Sequence, residues 1–126
     1  MKKKILIVED DKKISTALAV RLRATGYEIT MAYDAVIAFS TAVKHQPDLV
    51  VLDISMPGGG GFTVADRLQN HGATAGVPMI FITASKQEGL REKAMDLGAV
   101  GFFEKPYRDD ELVAAVQHTL GDAVTV

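Results

Sequence analysis

Leu49-Val50-Val51-Leu52-Asp53-Ile54-Ser55-Met56-Pro57-Gly58-Gly59-Gly60-Gly61 carries the reading that decides the fold. Four apolar residues, Leu49–Leu52, run without alternation into a single carboxylate, and a Pro-Gly loop comes next. An unbroken apolar run this short suits a strand covered on both faces, as in a parallel sheet flanked by helices. The same kind of run recurs at Ile5–Val8, at Met79–Ile82 and, more weakly, at Gly101–Phe103. Tyr27–Met31 has mixed polarity and suits an edge strand.

Helical patterns fill the intervals. Residues 12–25 place Ile14, Leu18 and Leu22 at a spacing of four, and Gly26 comes after them as a stop. Residues 35–45 carry Val36, Phe39 and Val43, and residues 62–70 carry Phe62, Ala65 and Leu68. Residues 87–97 carry Leu90, Ala94 and Leu97, and residues 109–120 carry Leu112, Val116 and Leu120. Strand and helix thus alternate five times. Such alternation implies right-handed crossovers and a parallel sheet with helices on both faces. A closed barrel needs about 250 residues, so an open doubly wound α/β sheet remains. Its sites belong at the carboxyl ends of the strands.

The 126 residues make one domain, residues 1–126 with a core of about 4–120, and leave no space for a second module. A net charge of -2 offers no strong field for nucleic acid, so no direct nucleic-acid partner is expected. The absence of cysteine excludes disulfides, thiolate metal sites and a cysteine nucleophile. Lys2-Lys3-Lys4 precede only four apolar residues, and three carboxylates come next. A secretory core needs roughly 7–15 apolar residues, so the lysines read as a solvated strand end and the cytoplasm as the location. No stretch is long enough to span a membrane.

Chemistry gathers at the predicted carboxyl edge. Glu9, Asp10 and Asp11 follow the first apolar run, Asp53 the third strand, Thr83-Ala84-Ser85 the fourth and Glu104-Lys105-Pro106 the fifth. Carboxylates held together repel, and either raise their own pKa values or recruit a cation. Only oxygen ligands are on offer, which suits hard Mg²⁺, an ion that prefers one or two carboxylates plus a phosphate oxygen. That points to phosphoryl chemistry with an Asp as the acceptor. Asp53 is the best candidate, with Lys105 and Thr83 placed to hold phosphoryl oxygens. Each piece has an ordinary alternative. Glu9-Asp10-Asp11 can open a helix, with Asp11 as its cap. Asp53 can end a strand, Thr83 can cap a helix and Lys105 can be a loop lysine. The glycine run reads either as close backbone approach to a ligand or as a flexible loop. The joint recurrence after apolar runs favours the site.

Other features are weaker. His45, His71 and His118 lie in separate helical segments without metal-ligand spacing and read as surface residues. Gly58–Gly61 lacks the Lys-Ser/Thr of a nucleotide phosphate loop, and no GxGxxG comes after the first strand.

Taken in order, four stretches resemble the receiver domain of bacterial two-component response regulators. They are Ile5-Leu6-Ile7-Val8-Glu9-Asp10-Asp11, Leu52-Asp53-Ile54-Ser55-Met56-Pro57-Gly58, Phe81-Ile82-Thr83-Ala84 and Phe103-Glu104-Lys105-Pro106-Tyr107. The resemblance covers essentially the whole chain. It implies a flavodoxin-like (βα)₅ sheet of strand order 2-1-3-4-5. It implies Asp53 as phosphoacceptor, with Glu9, Asp10, Asp53 and the Ser55 backbone carbonyl serving Mg²⁺ (Mn²⁺ can substitute). Asp10 would be a direct ligand and Glu9 would act largely through water. Thr83 takes the switch-hydroxyl position, and Lys105 that of the lysine paired with the acceptor. Phe102 takes the position of the rotating aromatic but has no hydroxyl, and a purely structural role for it stays open. Ser55 and Ser85 occupy the two positions that tune dephosphorylation.

The implied partners are a histidine kinase or histidine phosphotransfer protein and a downstream protein. The latter would dock on the face formed by the fourth helix, fifth strand and fifth helix. Receivers that dimerise through this face carry paired acidic residues before the aromatic and an Arg after Glu-Leu-Val-Ala. Here Val100-Gly101 and Ala115 stand there, so a monomer is expected. Three other readings compete. One is a receiver cut from a longer regulator or hybrid kinase with a DNA-binding or enzymatic output. Another is an Asp-nucleophile phosphohydrolase, which would need an Asp where Ser55 stands. The last is a flavin carrier, for which the acidic edge is a poor host.

Overall fold

The structure, a computed structural model, describes residues 2–56 and 60–123. Pro57, Gly58 and Gly59 of the loop after Asp53, and the last residues of the tail, lie outside the described residues. The elements alternate as β1 (Lys4–Val8), α1 (Lys12–Ala24), β2 (Glu28–Ala32), α2 (Ala35–His45) and β3 (Leu49–Asp53). They continue as α3 (Gly60–Gln69), β4 (Met79–Thr83), α4 (Leu90–Asp96), β5 (Ala99–Glu104) and α5 (Asp109–Thr119). All strand pairs are parallel, in the order β2-β1-β3-β4-β5.

The unbroken apolar runs form the sheet centre for the reason their composition suggests. Every residue of β3 and of β4 is buried, because helices cover both faces. Side chains alternate across the sheet. Leu6, Val8, Val50, Leu52, Met79 and Phe81 enter one core layer with α2, α3 and α4. Ile5, Ile7, Leu49, Val51, Ile80 and Ile82 enter the other with α1 and α5. The two edges, β2 and β5, are the strands with exposed positions.

Three local readings change. The inward face of α2 is Ala35, Ala38 and Ala42, not Val36, Phe39 and Val43. The two sets share one spacing, offset by one residue, so side-chain size pointed to the wrong set. Val36 is 65% exposed, whereas Phe39 lies at the flank of the core. The helix after Asp53 starts at Gly60, two residues before the predicted start, and α4 is shorter than its pattern suggested. The N-terminal lysines are anchored rather than merely solvated. Lys3 donates to the Leu120 carbonyl and to Asp122, and Lys4 donates to the His45 carbonyl. His45 and His118 are exposed, while His71 is half-buried with its ring edge-on to Phe39.

Candidate phosphoacceptor site

Parallel register brings the ends of β1, β3, β4 and β5 to one edge. Glu9 leaves β1 with its N–H bonded to the Ala32 carbonyl at 3.1 Å, and its side chain is fully buried. Asp10 is exposed beside it. Asp11 turns away and caps α1, its Oδ1 accepting from the Lys13 and Ile14 N–H groups at 2.9 and 3.2 Å. The structure thus separates the acidic triplet, giving Asp11 the capping task.

Asp53 is 3% exposed at the end of β3. Its Oδ1 accepts from the Ser55 N–H at 2.9 Å, and its Oδ2 accepts from Lys105 Nζ at 3.1 Å. Lys105 also donates to Glu9 Oε1 at 2.5 Å, so one ammonium bridges two buried carboxylates. Ligand oxygens of Glu9, Asp10 and Asp53 lie within 4.8 Å of one another. This all-oxygen set, two carboxylates buried and one open to solvent, fits a hard divalent cation.

The electrostatics reflect that crowding. Burial, with the Asp53 carboxylate adding to it, pushes the Glu9 carboxyl up to about 7 despite Lys105. Burial works against the Lys105 ammonium, but Glu9 and Asp53 together outweigh it and raise its pKa.

Thr83 is fully buried, and its Oγ1 accepts from the Ser85 N–H at 3.0 Å. Its carbonyl accepts from the Lys105 N–H at 2.7 Å, which ties the hydroxyl strand to the lysine strand. Ser55 is exposed, and Ser85 is half-buried with its Oγ accepting from the Gln87 N–H at 3.1 Å. Phe102 points inward, 8% exposed, in the core layer that holds Phe81.

Two features escaped the sequence. Gly60 and Gly61 press against the backbone just past Asp53. A Cβ on Gly60 would sit 2.6 Å from the Ile54 carbonyl oxygen, and one on Gly61 would collide with the Asp53 carbonyl. Close approach is therefore the reason for these two glycines; their place in a four-glycine run hid it. The second is Lys86, which pairs with Glu104 at 2.9 Å and reaches the Lys105 carbonyl. It straps the loop after Thr83 to the loop of Lys105, and no spacing rule links residues 86 and 104.

A five-stranded flavodoxin-like sheet of order 2-1-3-4-5, with a lysine-bridged acidic cluster at its carboxyl edge, is the receiver architecture. The chain belongs to the response regulator receiver domain family, whose model matches residues 5–117. It is 36% identical over 117 residues to the DNA-binding dual master transcriptional regulator RpaA of Synechocystis, covering 93% of this chain and 48% of the relative. It is 36% identical to the phosphate regulon transcriptional regulatory protein PhoB of Pseudomonas aeruginosa, covering 94% of this chain and 52% of the relative. The chain thus spans about half the length of these curated relatives. The receiver domain of the sensor histidine kinase PA1611 of P. aeruginosa superposes with a TM-score of 0.86 at 27% identity, covering 97% of this chain and all of that one. That structure has a magnesium ion coordinated in its active-site cleft.

Proposed function

We propose that this receiver accepts a phosphoryl group on Asp53 from a phosphohistidine of a histidine kinase or phosphotransfer protein in the cytoplasm. The observation that carries the reading is the Lys105 ammonium bridging Glu9 and Asp53, with Asp10 open to solvent beside them. A carboxylate oxygen of Asp53 attacks phosphorus, the donor's N–P bond breaks, and the imidazole leaves. Lys105 balances the charge that shifts onto the acceptor. Glu9, Asp10, Asp53 and the Ser55 carbonyl would hold Mg²⁺, or Mn²⁺ in its place, which when bound supplies positive charge against the phosphoryl oxygens. Water later attacks phosphorus and releases inorganic phosphate, regenerating the carboxylate. Between these events the Thr83 hydroxyl, which accepts from the Ser85 N–H in the unphosphorylated chain, turns to donate its O–H to a phosphoryl oxygen, and the Phe102 position biases the face formed by α4, β5 and α5. A protein partner reads that face as a shift between two populated states.

Asp53→Asn tests the assignment. The wild-type chain with Mg²⁺ and a small acyl-phosphate donor should gain one phosphoryl group per chain by intact mass, and the variant none. Label persisting in the variant would move the acceptor elsewhere. A second reading, favoured by the length of the curated relatives, makes the chain the receiver part of a longer regulator. The length of the open reading frame decides between them.

A further inference from the structure

Phe102 and Arg91 form a contact that the phosphoacceptor reading does not use. Arg91, exposed in the first turn of α4, lays its guanidinium over the Phe102 ring at 4.8 Å from the centroid. Phe102 is the one buried residue of β5, and its register partner on β4 is Phe81. Arg91 also helps hold the Glu104 carboxyl below its usual range, after Lys86, which pairs with it directly. Phe102, Arg91, Lys86 and Glu104 line a cleft of about 660 Å³ between the loop after Thr83 and β5. The loop is otherwise held by the Thr83–Ser85 and Ser85–Gln87 hydrogen bonds and by the Lys86 strap. Residues 86–89 are exposed, and Gly89, which precedes α4, gives it no side-chain cap.

We propose that Arg91 is a positioning residue for Phe102, a cation–π latch that holds the ring inward and couples it to α4. A phenyl ring has no hydroxyl, so no hydrogen bond selects its inward or outward position. The guanidinium supplies the missing directional contact, through the negative face of the ring. Because α4 carries Arg91 and the loop before it leads back to Thr83, ring position and loop position change together. The proposal rests on the phosphoacceptor reading only for its consequence. The latch itself concerns the unphosphorylated chain.

The test labels the five phenylalanines with 4-fluorophenylalanine and assigns the Phe102 fluorine signal from its absence in Phe102→Leu. Arg91→Gln should move or broaden that signal in the unphosphorylated protein, and Arg91→Lys, which keeps a cation, should restore part of it. Labelling of Asp53 by an acyl phosphate should slow about 2- to 5-fold in Arg91→Gln, the effect of an exposed cation–π contact. In a Phe102→Leu background Arg91→Gln should add nothing. An unmoved ring signal, or an equal effect of Arg91→Gln in both backgrounds, would overturn the latch. Absence of any labelling in the wild type, with the ring signal still responding, would overturn the phosphoacceptor reading and leave the latch standing.

Discussion

Glu9 has the residue environment with the widest consequence. Its carboxyl titrates near 7 in the fold against an ordinary 4.5. Between those values the folded chain binds more protons than the unfolded one, so stability falls as pH rises through that window. The thermal midpoint of the metal-free protein should therefore drop from pH 5 to pH 7.5, and Glu9→Gln should flatten that slope. The other groups with altered pKa values, Glu104, Asp110 and Asp122 held low and Lys105, Tyr27 and Tyr107 held high, titrate outside this interval and leave the slope to Glu9. A midpoint that rises over the same interval would contradict the buried-carboxylate argument. Ser55 and Ser85 raise a second residue question. Both are small, one exposed and one half-buried, and under the proposed function they would leave a phosphoryl group on Asp53 within reach of water. Replacing both by bulky residues should slow loss of phosphate from the labelled protein severalfold, read by timed intact-mass measurements. An unchanged rate ends the access argument. Asp53, Glu9 and Lys105 were legible from their places after apolar runs. Which carboxylate Lys105 would engage was not, because a distance between residues 9 and 105 is set by the sheet and not by the chain.

Elements carry the site because their ends are packed and hydrogen-bonded to one another. The start of α3 packs its backbone onto the Asp53 and Ile54 carbonyls, with no room for a Cβ at Gly61. Gly61→Ala forces backbone apart or displaces the end of β3. It should cost about 1–3 kcal/mol of stability, as overpacking does, and slow phosphorylation in the same variant. Denaturant unfolding and acyl-phosphate labelling measure the two effects. A fully stable, fully active variant would mean the helix start can shift freely. Element type was readable throughout, because the inner strands show unbroken apolar runs, the edge strands mixed or short ones, and the helices spaced ones. The inward face of α2 was not. Ala35, Ala38 and Ala42 are too small to dominate a hydrophobic pattern, yet small residues are what let a helix lie close to a sheet.

At the scale of the whole molecule, the large exposed apolar side chains among the described residues are Val20 on α1, Tyr33, Val36 and Ile37 around the start of α2, Met95 on α4 and Val100 on β5. The face of α4, β5 and α5 lacks the acidic pair and arginine of the dimerising receivers, with Val100, Gly101 and Ala115 in their places. Sedimentation at micromolar concentration should find a monomer with and without acyl phosphate. A dimer that forms only on phosphorylation would restore self-association as the output. The sequence by itself determined the class of fold, the carboxyl edge as the place of the candidate site and the residues gathered there. These are local matters, set by periodicity and by the polar residues that end each apolar run. Tertiary structure alone decided that Lys105 joins Glu9 to Asp53, that Gly61 abuts the end of β3 and that Arg91 covers Phe102. Each of these joins elements that meet only once parallel strands are set in register and helices are packed on them. Their distances come from the packing of the whole sheet, which no single stretch of chain encodes.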